Sequence, residues 1–208
     1  MKKKILFIII TIFTLVLLSA CEEKKYEPSS YSSTSFSDKK ESGVLATVKK
    51  NLSEKNTRVF DKLKSGLLLI PKEYSIDNAI KDGYFVVLNE EVKSKIEIID
   101  QFVSDSQNKK ATSITIVQYN LVGNPIIIKI FYDGIKYYVI EDDTRVPRSD
   151  TKYFEFEFKY LNVSEDNNRK KYLLLNDKGI NYDQYMRSML SSNYNDHIEG
   201  LCFCSYKN

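Results

Sequence analysis

The first twenty-one residues constrain this chain more than any later stretch. Lys2, Lys3 and Lys4 precede an almost unbroken apolar run over residues 5–18, and Leu18-Ser19-Ala20-Cys21 comes directly after it. As a helix that run would rise about 21 Å, short of the roughly 30 Å hydrocarbon core of a bilayer. It therefore has the form of a secretory h-region, and the small residues Ser19 and Ala20 suit a peptidase that cuts just before Cys21. The competing reading is an uncleaved signal anchor with an ordinary cysteine nearby. No later segment is long and apolar enough to span a membrane. Any folded unit has to be built from the residues after Cys21.

Leu18-Ser19-Ala20-Cys21 resembles the lipobox of bacterial lipoproteins. The resemblance implies that the Cys21 thiol takes a diacylglyceryl group and becomes the new N-terminus. The membrane is then the partner, and the chain sits on its outer face. Acyl chains contribute about 0.8 kcal/mol per buried CH₂, so two or more hold a protein stably on a bilayer.

The formal charge of +3 comes from the leader, which carries three lysines and no acid. Without residues 1–20 the chain is electrically neutral, which removes the footprint expected of a nucleic-acid binder. Residues 21–43 carry the lipidated cysteine and a tether. The tract Ser29-Ser30-Tyr31-Ser32-Ser33-Thr34-Ser35, with Pro28 and scattered charges, holds too little apolar surface to fold. As a flexible coil, residues 22–43 would average roughly 25 Å end to end. Residues 44–208 are enough for one domain with a sizeable core.

Within that domain, apolar spacing predicts a helix over residues 44–66 with Gly66 as its C-terminal cap, and a short buried extended segment over Leu67-Leu68-Leu69-Ile70 before Pro71. A short helix capped by Ser75 and stopped at Gly83 precedes a strand over residues 84–88. Val92, Ile96, Ile99, Phe102 and Val103 predict an amphipathic helix over residues 90–106. Strands come next over residues 114–121, 126–132 and 135–140, with turns at Val122-Gly123-Asn124-Pro125 and Asp133-Gly134. Phe154, Phe156 and Phe158 alternate with Glu155, Glu157 and Lys159 in a half-buried strand over residues 153–161. A polar loop at Asp166-Asn167-Asn168, a strand over 172–175, a helix over 182–190 and a last strand over 201–206 complete the chain. Helices come first and a meander of antiparallel strands later, so the expected class is α+β, with N-terminal helices packed on a mostly antiparallel sheet.

Part of this pattern resembles a family of small Gram-positive lipoproteins that share an uncharacterised domain. The likeness rests on residues 75–83, on the predicted helix from Glu90, on Gly123-Asn124-Pro125-Ile126, on Tyr132-Asp133-Gly134-Ile135-Lys136-Tyr137 and on Asp143-Thr144-Arg145. It covers about a third of the chain, within residues 71–145. The resemblance implies a lipid-anchored surface protein and supplies no catalytic residue. Beyond Arg145 it fades.

Catalytic residues are hard to find. His197 is the single histidine, and no nucleophile or metal motif accompanies it. Cys202-Phe203-Cys204 predicts a terminal strand with two thiols on one face, since a disulfide between residues two apart is strained. Glu141-Asp142-Asp143 offers carboxylates for Ca²⁺, against the competing reading of a solvated turn. Metal and cofactor sites are therefore not expected. Tyr119, Tyr132, Tyr137, Tyr138, Tyr153 and Tyr160 all fall on predicted strands, and an exposed row of them would make a binding face. Most such rings are expected to be core residues or cross-strand pairs.

The expected function is a non-enzymatic, lipid-anchored domain that binds an envelope component or a protein. One rival is an envelope hydrolase using Glu155 with Glu157, or Glu141 with Asp143, at a separation suited to acid/base work. The other is an inhibitor or immunity-type lipoprotein.

Overall fold

The computed structural model describes residues 43–147 and 152–207, with side chains from Glu54 onward. Leu18, Ser19, Ala20, Cys21 and the tether lie outside the described residues. The architecture is α+β, and its centre is a six-stranded sheet in the order β2-β1-β3-β4-β5-β6. Its strands are β1 (Phe85–Leu88), β2 (Glu91–Val92), β3 (Thr112–Tyr119), β4 (Pro125–Tyr132), β5 (Tyr137–Asp142) and β6 (Tyr153–Phe158). All neighbours run antiparallel except β1 and β3, which are parallel and joined through helix α3 (Glu97–Gln107).

Both faces of its central strands carry buried side chains, and period-two alternation divides them between the two sides. Ile114, Ile116, Ile128, Ile130, Tyr137 and Val139 face Ile99 and Phe102 of α3. Val117, Tyr119, Ile127, Tyr138 and Ile140 face the opposite way, onto Phe60, Leu63 and Leu67 of helix α1 (Gly43–Leu68) and Ala79 of helix α2 (Ile76–Lys81). The unbroken apolar stretch Ile126-Ile127-Ile128 in β4 reflects that double burial.

A second, three-stranded sheet, in the order β7-β8-β9, closes the α3 side. It comprises β7 (Tyr160–Asp166), β8 (Arg169–Leu175) and β9 (Gly200–Lys207). Tyr172 and Leu174 reach the first core, while Leu173 and Leu175 turn to Tyr185 of helix α4 (Tyr182–Met189). In the β8–β9 ladder Tyr172 pairs with Cys204 and Leu173 with Cys202, which leaves Phe203 as a bulge. The Phe203 carbonyl accepts from Gln118 Nε2 at 2.6 Å, tying the second sheet to β3.

Several expectations change. Helix α1 continues through Gly66 to Leu68, so residues 67–70 are neither strand nor cap. Leu67 extends the buried stripe Phe60–Leu63 at helical spacing, and tertiary burial outweighs the extended preference of the run. Gly66 instead gives room: a Cβ there would lie 2.6 Å from Lys129 Nζ. The helix expected from residue 90 begins only at Glu97. Asn89 and Glu90 adopt positive φ (51° and 64°), and Glu91–Val92 folds back on β1 as a hairpin. Val92 and Ile96 still pack on the α3 cluster, which explains why the apolar stripe is continuous although the helix is not.

The strand expected over residues 153–161 breaks at Lys159, where the chain passes from one sheet to the other and Lys159 N–H donates to the Leu175 carbonyl at 3.0 Å. Strand β5 starts at Tyr137 because Asp133 Oδ1 accepts from the amides of Ile135 (2.9 Å) and Lys136 (3.0 Å), holding those residues in the loop. The helices are concentrated early but interleaved with β1 and β2, and α4 falls between β8 and β9.

Asp142 is fully buried at the end of β5 and ion-paired with Arg145, whose side chain is 5% exposed. Arg145 also donates to the carbonyls of Pro71 (3.0 Å) and Ile70 (2.8 Å), and Asp142 Oδ1 accepts the Thr144 amide at 2.9 Å. Asp142 is thus neither part of a solvated turn nor free for a cation. Breaking a buried pair by removing one partner costs about 3–5 kcal/mol. Asp142→Ala is expected to lower stability by that amount, read as a shift of the urea midpoint at unchanged slope.

Candidate functional site

Helix α1 lies over β4 and β5 and leaves a groove of about 720 Å³ beside it. Its helix side presents Glu54, Lys55, Arg58, Val59, Lys62 and Leu63; its sheet side presents Ser113, Lys129 and Phe131. Lys55, Arg58 and Lys62 recur at helical spacing on one stripe, with Val59 and Leu63 beneath them. Lys129 reaches the same stripe one turn further on, where Gly66 admits its ammonium group. Among the described lining residues, four cations therefore meet one carboxylate, Glu54, around an apolar floor.

Lys55 Nζ lies 3.6 Å from Asp133 Oδ2. Arg58, Lys62 and Lys129 have no ion-pair or side-chain hydrogen-bond partner among the described residues. Cations elsewhere do: Lys136 meets Glu157, Lys170 lies 3.0 Å from Asp100, and Arg169 meets Glu90. Burial works against the Lys136 ammonium, but the adjoining Glu157 carboxylate outweighs it and raises the Lys136 pKa.

The tyrosines weighed as a binding face do not line this groove. Tyr119, Tyr132, Tyr137 and Tyr138 are buried, and Tyr153 is half-buried under Lys64, whose Nζ sits 4.6 Å from its ring centre. Both faces of the sheet are covered, so side chains on alternate sides of β5 both enter a core. Tyr132 and Tyr137 stack at 4.4 Å, and Tyr138 meets Phe60 edge-on at 5.7 Å. Tyr160, on β7, is 38% exposed and isolated from these four.

The remaining candidates are also dispersed. His197 Nε2 lies 3.0 Å from the Ser191 carbonyl and its ring packs against Tyr194, in a turn of its own. The Phe203 bulge puts Cys204 in the inter-sheet core and turns Cys202 towards α4, so the two thiols do not share a face. Burial pushes both thiols up, Cys204 further. Glu157 is held by Lys136 beside an exposed Glu155. Burial, then the neighbouring Asp143, raises the Glu141 pKa. Among the described residues no cluster of three or more His, Cys, Asp or Glu is placed to hold a metal ion, and no helix is long and apolar enough to cross a membrane.

The groove cations were not singled out from the sequence, although a signal existed. Lys129 is the one charge in the apolar strand Ile126-Ile127-Ile128-Lys129-Ile130-Phe131, and such a residue needs a reason. Comparison with protein-family models, with curated proteins and with solved structures gives no match.

The buried hydroxyls and thiols make stability sensitive to alkali. Burial pushes Tyr119 and Tyr172 up to about 12, and raises Tyr74, Tyr206 and Cys204 as well. The folded chain then holds protons that the unfolded chain releases above pH of about 8.5 (Cys) to 10 (Tyr), so stability falls as pH rises through that range. Urea midpoints at pH 8, 9, 10 and 11 are expected to stay level at first and then drop with increasing steepness. Thiol reagents are expected to leave Cys204 unlabelled until denaturant is added.

Proposed function

We propose that this protein is a lipid-anchored extracytoplasmic lipoprotein whose folded domain binds an envelope component in the α1–sheet groove. The observation that carries the binding role is the groove itself: cations, three of them without a side-chain partner among the described residues, gathered over apolar side chains at a concave surface, the composition of a ligand site. The anchor is supported by the lipobox-like Leu18-Ser19-Ala20-Cys21, by the short h-region before it and by the likeness to small Gram-positive lipoproteins over residues 75–145. On this reading Cys21 carries a diacylglyceryl group and residues 22–43 space the domain from the membrane. An inhibitory or immunity-type role would use the same groove against a protein.

Two measurements test this. Intact mass and membrane fractionation are expected to give a lipid-modified chain starting at Cys21 and release of a Cys21→Ala variant into the soluble fraction; an unmodified chain retaining Met1 would refute the anchor. The Cys21→Ala chain is expected to co-sediment with isolated envelope fragments at low salt. Adding Arg58→Glu and Lys62→Glu is expected to weaken that by at least about tenfold, since charge-assisted hydrogen bonds contribute about 1.5–3 kcal/mol each. The same exposed changes are expected to shift stability by no more than about 0.5 kcal/mol. Undiminished co-sedimentation would remove the groove as the binding site.

A further inference from the structure

We infer that the groove takes a single anionic amphiphile, with one alkyl chain along Val59, Leu63 and Phe131 and a carboxylate or phosphate head group held by Arg58, Lys62 and Lys129. This deepens the binding role proposed above and depends on it. Two independent chemistries coincide in the groove. The floor is apolar, so filling it with hydrocarbon removes apolar surface from water. The wall carries three cations without partners among the described residues, on a stripe running from Arg58 past Lys62 to the ammonium of Lys129 at Gly66. An anionic head group at that stripe satisfies them with charge-assisted hydrogen bonds.

A peptide fits less well. Its amides would need donors and acceptors, and among the described residues Ser113 is the only neutral polar side chain in the lining. The backbone of β4 is engaged on both sides, by β3 and by β5. Peptide amides laid on Val59, Leu63 and Phe131 would stay unpaired at a cost of about 1–3 kcal/mol each. An alkyl chain has no such requirement. A flat anionic membrane would meet the outer cations but could not reach a floor recessed beneath α1, so the ligand is one molecule withdrawn from its surroundings.

The test uses the full chain in nanodiscs of neutral phosphatidylcholine with a diazirine-bearing hexadecanoate as photo-probe. Irradiation is expected to label peptides carrying Val59, Leu63 and Phe131. Unlabelled hexadecanoate and hexadecyl phosphate are expected to compete, and hexadecanol to do so at least about tenfold less well. Each methylene removed from the competitor is expected to raise the free concentration needed by about fourfold, the counterpart of about 0.8 kcal/mol per buried CH₂. The variant Arg58→Gln/Lys62→Gln/Lys129→Gln, checked for an unchanged thermal midpoint, is expected to lose the preference for acid over alcohol.

Labelling elsewhere, equal competition by hexadecanol, full competition by inorganic phosphate, or displacement by polyglutamate but not by hexadecanoate would each overturn the proposal. If the probe fails while charge reversal at Arg58 and Lys62 still abolishes retention on envelope fragments, the ligand class falls and the binding role stands. If charge reversal also leaves retention unchanged, both fall.

Discussion

Strands β3, β4 and β5 bury apolar side chains on both faces, and the placement of the other elements follows from covering them. A sheet with one wet face could have been closed by a single layer. Here Ile116, Ile130 and Val139 on one side and Val117, Ile127 and Ile140 on the other are all almost fully buried, so two separate covers are required. Helices α1 and α2 supply one. The other face is shared by α3 and the second sheet, whose Tyr172, Leu174 and Phe203 complete that core. The second sheet then has an outer face of its own, and Leu173 and Leu175 there are covered by α4. The late helix is a consequence of the early strands.

Helix α1 is fastened to the sheet near its middle and at its C-terminal end, and this is what leaves a groove along its flank. At its C-terminal end Arg145 bridges buried Asp142 to the carbonyls of Ile70 and Pro71. Near its middle Asn56 Oδ1 accepts from Tyr138 Oη and Lys136 Nζ, each at 3.2 Å. Both anchors belong to β5 or to the loops at its ends, so the helix axis is drawn to that side of the sheet. The surface of β3 and β4 around Ser113 and Phe131 is left partly open. Fold and candidate site are thus one geometric fact: the contacts that secure the helix also set which part of the sheet it leaves uncovered.

Local signals in the sequence located most elements because they needed no knowledge of partners. Ser75 accepts the Asn78 amide as its position suggests, and Asp133-Gly134 makes its turn. Failures occurred where a distant contact decided the outcome. Leu67 is helical because the sheet buries it, and Glu91–Val92 is a strand because β1 offers an edge. Lys159 bends because a second sheet, invisible from spacing, receives the chain. The Phe203 bulge reverses which way Cys202 points, and a one-residue slip of that kind leaves no trace in composition. The groove was hidden for the same reason, since Lys129 and Arg58 are seventy-one positions apart and meet only through packing.

The tyrosines show how composition can mislead about function while being informative about folding. Their number allowed a contact surface as well as core packing; most of these rings are core, and several hydroxyls are used as fasteners between layers. Tyr119 donates to the Tyr74 carbonyl at 3.0 Å, linking β3 to the segment before α2. Tyr172 and Tyr206 share a 2.9 Å hydrogen bond within the inter-sheet core. Phenylalanine at these positions would bury similar area, but it would leave the Tyr74 carbonyl without that donor and would not distinguish one register from another. A sheet packed on both faces by apolar residues alone has many near-equivalent ways to slide against its covers. A buried hydroxyl that finds its partner in only one of them selects a single arrangement, and it does so from inside the core, out of reach of any external ligand.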